Sequence, residues 1–288
     1  MSNLRDIKQR IVSVKKTQKI TMAMKMVAAA KFKRAQDTLK EGQNYARELD
    51  LVLTDLASRV TLDDLPALAT PNQSSKEAVI VIAGDRGLCG GFNSNILKAS
   101  HQYLNSKSAE DIALTLVGNK SALYYKNKDF RIENVHRNLP KVIEPAMLDE
   151  ILEPVVSGYL NGEYGKVTLF YNEFISALTN EQTQISMFPL EISAASKGDA
   201  EGASDFIYEP GKPEVLNDLI KSSSLTKIHI GLLNSRAAEE GSRMAAMDSA
   251  SQNASDVIHQ LTLSYNRGRQ AAITTEISEI VAGAASLE

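Results

Sequence analysis

The stretch LRDIKQRIVSVKKTQKITMAMKMVAAAKFKRAQDTLKEGQNYARELDLVLTDLASRV, residues 4–60, decides the fold. Alternate steps of three and four along it meet Leu4, Ile7, Ile11, Val14, Gln18, Thr21, Lys25, Ala28, Phe32, Ala35, Leu39, Gly42, Ala46, Leu49, Leu53, Leu56 and Val60. Thirteen of these seventeen are apolar. A seam sustained at this spacing is the mark of a coiled-coil helix. The seam turns polar at Gln18, Thr21 and Lys25, where the apolar Ile20, Met22, Met24, Met26 and Val27 point in other directions. Two readings stand side by side. One is a defect in register. The other is a helix that locally faces something other than its partner helix.

The far end of the chain reads alike. Met244, Met247, Ala254, Ile258, Leu261 and Tyr265 keep the same spacing, with Ser251 as a polar step. After a skip, Ile273, Ile277, Ile280, Ala284 and Leu287 resume it. Residues 236–256 are rich in Ala and Ser, which predicts a slim helix, and from Gln270 onward there is no Lys or Arg. All eight prolines lie between Pro66 and Pro213. Proline costs a helix interior about 3 kcal/mol, so both ends are free to form very long helices. At about 1.5 Å per residue, 65 to 75 helical residues span roughly 100 Å. A compact chain of this length has a radius of gyration of only about 19 Å. The expectation is two protruding arms, 1–65 and 210–288, paired antiparallel as one coiled coil.

The middle, 76–195, reads as a small, mostly parallel α/β domain of Rossmann-like type. Ala78–Ala83 is a continuous apolar run suited to a buried strand, and Ile112–Val117 and Val167–Tyr171 read likewise. Gln184–Leu190 alternates, as an edge or antiparallel strand does. Asn95–Asn105, Ser121–Lys126 and Ala146–Leu160 are predicted helices between them. Pro66–Glu77 and Ser193–Pro213, rich in Ser, Ala, Gly and Pro, read as linkers.

Net charge is −3 over 288 residues, unevenly spread. Residues 1–40 hold eleven Lys or Arg against Asp6 and Asp37, a net +9, which leaves −12 for the remainder. A basic arm on an acidic body points to an acidic partner. No apolar run reaches the roughly 18 residues of a membrane span. The N-terminus has no apolar signal core, so the expected place is the cytosol or the cytosolic face of a membrane. Cys89 is the only cysteine, which excludes an intrachain disulfide and a cysteine zinc cluster. His101, His136, His229 and His259 are scattered, without metal-ligand spacing.

Gly84-Asp85-Arg86-Gly87-Leu88-Cys89-Gly90-Gly91 follows a strand and precedes a helix, where phosphate loops sit. Its spacing is G-x-x-G-x-x-G-G, which fits neither the dinucleotide fingerprint nor the mononucleotide P-loop. Gly118-Asn119-Lys120-Ser121 matches only a fragment of the latter. A tight turn requiring positive φ accounts for the glycines equally. Asp63-Asp64 and Glu239-Glu240 are adjacent carboxylates, which on a helix point about 100° apart and make poor catalytic pairs. The basic arm would neutralise phosphates. Yet it has one aromatic, Phe32, so base stacking is poorly served.

Three long stretches resemble one family. They are residues Arg10–Lys31 (RIVSVKKTQKITMAMKMVAAAK), Gly87–Asn93 (GLCGGFN) and Leu261–Val281 (LTLSYNRGRQAAITTEISEIV). Each is similar to the corresponding signature of ATP synthase gamma subunits, in the family's order and across the full length. The resemblance implies a non-catalytic central-stalk rotor of a proton-translocating F-type ATP synthase. Its coiled coil would sit inside a hexamer of alpha and beta subunits. Its foot, with the epsilon subunit, would ride on the c-ring. It implies no cofactor, no direct nucleotide binding, no nucleic acid, and membrane association only through the c-ring, at the cytoplasmic face of a bacterial inner membrane.

By resemblance, Arg269, Gln270, Thr274 and Glu276 meet beta-subunit loops, and Met24, Arg243 and Met244 lie at the coupling level. Lys19 and Lys25 would stand near acidic beta segments. Tyr208 and Glu209 match a foot segment near the c-ring. Met22 and Asp248 stand where the family often has Lys, and Gly268 where it often has Ala. Two rivals make other expectations. A nucleotide-binding α/β enzyme with helical oligomerisation arms would bind nucleotide alone. A coiled-coil nucleic-acid binder would show strongly salt-dependent affinity.

Overall fold

The computed structural model describes residues 4–58, 66–190 and 211–285. In chain order the elements are α1 (Leu4–Ser58), β1 (Glu77–Ile82), α2 (Phe92–Leu104), β2 (Ile112–Val117), α3 (Asn119–Tyr125), β3 (Arg131–His136), α4 (Pro145–Leu160), β4 (Lys166–Phe174), β5 (Asn180–Phe188) and α5 (Lys212–Ala285). They form two compact units, residues 1–29 with 243–288 and residues 30–242.

The second unit is built on one sheet, ordered β3-β2-β1-β4-β5. The first four strands are parallel, and β5 runs antiparallel to β4 at the edge. β1 is buried along its whole length and supplies both cores. Val79 and Val81 face α2 through Ile96, Leu97 and Leu104. Ala78, Ile80 and Ile82 face α4 and α5 through Ile151, Leu152, Val155, Leu216, Ile220, Ile228 and Leu232. Period-two alternation under cover on both sides explains why the strand reads as unbroken apolar sequence. On its other flank α5 meets α1, with Leu233 and Ala237 on Ala35 and Leu39. A β-carbon on Gly42 would lie 3.0 Å from Leu233, and one on Gly231 3.4 Å from Ile82 and Leu169. Small residues let these layers approach.

Pro66–Glu77 is not a free linker. Leu68 and Ala69 are buried in the main core, and the Leu68 carbonyl accepts a hydrogen bond from the Leu190 amide. Strand β3 was invisible to periodicity. Its register against β2 shifts between Leu114 and Thr115, so Ile132 pairs with Leu114 while Asn134 pairs with Thr115. The bulge sets Ile132 and Val135 three positions apart instead of two and breaks the alternation.

In the first unit α1 and α5 pair antiparallel. Leu4 sits against Gly268, and Lys25 reaches Asp248. The seam stays in register through its polar steps. Thr21 is only 8% exposed, while Ile20, Met22, Met26 and Val27 are 56–62% exposed. A register defect is therefore excluded here. The Thr21 hydroxyl is satisfied by the Gln18 carbonyl at 3.0 Å. Past Gly268, residues 269–282 of α5 are all exposed, including Ile273, Ile277 and Ile280.

At the amino end of β1 the buried Glu77 carboxylate accepts hydrogen bonds from Tyr103 (2.8 Å), Lys107 and Thr168. Burial opposes its charge. The bonds from Lys107, Thr168 and Tyr103 outweigh that and hold the carboxyl below its ordinary 4.5. A depressed folded value means stability that is present above the unfolded value and lost as pH falls through the folded one. Glu77→Gln is expected to cost about 1–3 kcal/mol at neutral pH. In urea titrations across pH, the gap to the parent chain should close as pH drops below 4.5.

Candidate functional site

The connections from β1 to β3 run outward, and α4 then returns the chain to the opposite flank of β1. Strand order thus reverses beside β1, and the crevice at the carboxyl ends of β1 and β4 is where open α/β sheets bind ligands. The glycine-rich loop 84–91 lies there, and several of its polar groups are already engaged. The Gly84 amide donates to Asn93 Oδ1 at 2.8 Å, and the Gly84 carbonyl accepts from the Lys120 amide at 3.0 Å. Asn93 Nδ2 donates to the Arg86 carbonyl at 2.9 Å. Leu88 and Gly90 take positive φ, 61° and 57°. Cys89 is buried against Phe92 and Ala238. A β-carbon on Gly84 would lie 3.1 Å from the carboxylate of Glu239 on α5. A phosphate placed there would meet a negative charge at close range.

Asp85, which sequence reasoning passed over, organises this edge. Its Oδ1 accepts the amides of Asn119 (2.8 Å) and Asn138 (3.0 Å), and its Oδ2 that of Leu139 (2.8 Å). One carboxylate thus ties together the loops that follow β1, β2 and β3. The available signal was an acid directly after a glycine at the end of the central strand. The P-loop fragment is structural too. Ser121 is buried with its hydroxyl on the carbonyls of Val117 (2.9 Å) and Gly118 (2.8 Å). Gly118 has φ 96°, and a β-carbon there would stand 2.1 Å from the Ala83 carbonyl oxygen. Gly118→Ala is expected to lower stability by about 2–4 kcal/mol, from left-handed strain plus backbone collision. Chemical denaturation of the purified chain checks it.

The helix pair carries the other candidates. Lys19 is exposed and Met24 half-buried; Arg243 is buried and Met244 half-buried. Lys25 Nζ lies 2.6 Å from Asp248 Oδ1, with the two side chains 40% and 60% exposed. Asp248 thus supplies the acidic partner across the seam. Met244 is one turn before Asp248, so Met24, Lys25, Arg243 and Met244 occupy one level. Arg269, Gln270, Thr274 and Glu276 are exposed on the stretch of α5 past Leu4, beginning roughly 30 Å further along the helix. Tyr208 and Glu209 lie outside the described residues. A double-mutant cycle on Lys25→Ala and Asp248→Ala should return a coupling of about 0.2–1 kcal/mol that shrinks as salt is raised.

Among the described residues no group of three His, Cys, Asp or Glu side chains is arranged to hold a metal ion. No described helix is long and apolar enough to cross a membrane.

The family model described as ATP synthase matches residues 3–287. The chain is 41% identical to the ATP synthase gamma chain of Geobacter metallireducens over the whole of both chains. It is 43% identical to that of Anaeromyxobacter dehalogenans, again over all of both. Among solved structures it is similar to a chain of the central stalk and c-ring of Tetrahymena thermophila mitochondrial ATP synthase. That match has a TM-score of 0.63 at 26% identity, covering 81% of this chain and 99% of that one. A chain from the Euglena gracilis mitochondrial ATP synthase shares the fold, with a TM-score of 0.69 at 18% identity over 99% and 94%. Full-length identity at this level, on a matching fold, means that the chain belongs to the ATP synthase gamma-chain family.

Proposed function

We propose that this chain is the central-stalk rotor subunit of a proton-translocating F-type ATP synthase. It would couple rotation of a c-ring to ATP synthesis or hydrolysis in an alpha/beta hexamer, without a catalytic site of its own. The observation that carries this reading is the inverted helix pair. A polar residue, Thr21, occupies the seam while Ile20, Met22, Met26 and Val27 stand outside it. Apolar side chains on the outer face serve a surrounding partner, not the pair itself. Beyond Gly268, α5 carries Ile273, Ile277, Ile280 and Val281 in the open. A smooth apolar sleeve around that stretch would offer few directional bonds to resist turning.

In this reading Lys19, Met24, Lys25, Arg243 and Met244 form the coupling level against beta subunits, and Arg269, Gln270, Thr274 and Glu276 contact beta loops further along. Tyr208 and Glu209 belong to the foot on the c-ring, beside an epsilon subunit. The working parts are then helix 1–65, domain 76–195 and helix 210–288. The complex sits on the cytoplasmic face of a bacterial inner membrane, and the chain reaches the membrane only through the c-ring. The carboxylate of Glu239 beside Gly84 disfavours the rival nucleotide-binding enzyme.

The test is ATP binding and hydrolysis by the purified chain, alone and mixed with alpha and beta subunits. The expected result is no binding alone, and one copy per hexamer with sustained cooperative hydrolysis. Micromolar binding or turnover by the chain alone, with no complex, would return the loop 84–91 to consideration as an active site.

A further inference from the structure

Helix α5 is fastened to the sheet by more than apolar packing. β4 pairs with β1 only as far as Phe170, but continues to Phe174 against β5. Residues beyond Phe170 therefore keep one side without a neighbouring strand. The amides of Asn172 and Phe174, two residues apart, point to that side. Both are taken by α5: Asn172 donates to Ser235 Oγ at 3.2 Å, and Phe174 to Asn234 Oδ1 at 3.2 Å. The next residue, Arg236, donates from its guanidinium to the carbonyls of Pro140 and Lys141 in the loop after β3. Two turns on, Ser242 Oγ accepts from Asn180 Nδ2 at 3.0 Å. One stretch of α5 thus completes the open flank of β4 and grips two further segments.

We propose that Asn234, Ser235 and Arg236 are positioning residues that stop α5 from turning or sliding on the sheet. They would form the joint through which the rotor passes torque between its α/β domain and its helices. The proposal rests on the rotor reading. Around these residues the contact with the sheet is largely apolar, with Ile228 and Leu232 buried in it. Apolar contact resists separation but is non-directional. Hydrogen bonds weaken steeply when bent, so they set the phase of the helix on the sheet. Asn234 is itself held, its Nδ2 donating to the Ile230 carbonyl at 3.0 Å, which aims Oδ1 at the Phe174 amide.

The experiment uses the full chain assembled with alpha, beta, epsilon and c-ring subunits in vesicles. Ser235→Ala combined with Arg236→Met is compared with the parent, and Ser235→Ala alone serves as the milder variant. Unloaded hydrolysis, in complexes without the c-ring, should stay within about twofold of the parent. ATP-driven proton uptake against an imposed gradient should fall about three- to tenfold, the effect of losing one or two hydrogen bonds on a rate. Ser235→Ala combined with Arg236→Lys, which keeps a cationic donor for the two carbonyls, should recover part of the uptake. Unchanged uptake in the double variant would overturn the proposal. So would a parallel loss of hydrolysis and uptake in Ser235→Ala, which is the mark of misfolding. If the parent chain assembles with none of its partners, the rotor reading itself falls, and that appears before any variant is made.

Discussion

Between Ile220 and Gly241, α5 must satisfy two neighbours at once: the sheet on one flank and α1 on the other. This packing sets the residue types of the layers it touches. Gly231 faces Ile82, Leu169 and Tyr171 of the sheet, and Gly42 on α1 faces Leu233 and Ile230. A helix enclosed in this way cannot show a narrow apolar stripe. Its apolar residues spread around the axis, and its polar ones (Asn234, Ser235) are spent on the open flank of β4. The sheet in turn depends on β1, whose alternate side chains feed the two cores separated by the sheet.

Two carboxylates hold the ends of β1 by different chemistry. Glu77 is satisfied by side chains, and Lys107 matches its charge in a largely dry setting. Asp85 is satisfied by three backbone amides from two other loops. Together with Glu239 beside Gly84, Asp85 sets two carboxylates at the crevice where related sheet architectures take up ligands. The loop 84–91 has the position of a phosphate site and the wiring of a structural tie. That is a physical reason for a Rossmann-like domain to serve in a non-catalytic subunit.

Much of the fold was legible. The seam positions from Leu4 to Leu56 are all buried or half-buried, because a helix repeats its faces by short-range geometry alone. β2 was read to the residue, since an apolar run covered on both faces has clear ends. β3 was not, because its bulge erased the alternation. Pro66–Glu77 looked like a linker by composition, yet its Leu68 and Ala69 reach the core. The sequence showed that polar residues interrupt the seam, but not whether the register breaks. Deciding that required the facing helix, which keeps Thr21 inside and sets Asp248 against Lys25.

The sequence by itself determined the two long helices, the α/β class of the middle, the charge asymmetry and the family. All of these follow from local periodicity, from the placing of prolines, or from long contiguous motifs. Only the tertiary structure decided that Asp85 gathers three loops, that Asn234 and Ser235 finish the flank of β4, and that Lys25 finds Asp248. The partners in those contacts stand 34 to 223 residues apart in the chain. Hydrogen bonds and ion pairs carry no periodic trace of their partners. They exist only once packing has brought the groups within about 3 Å of each other.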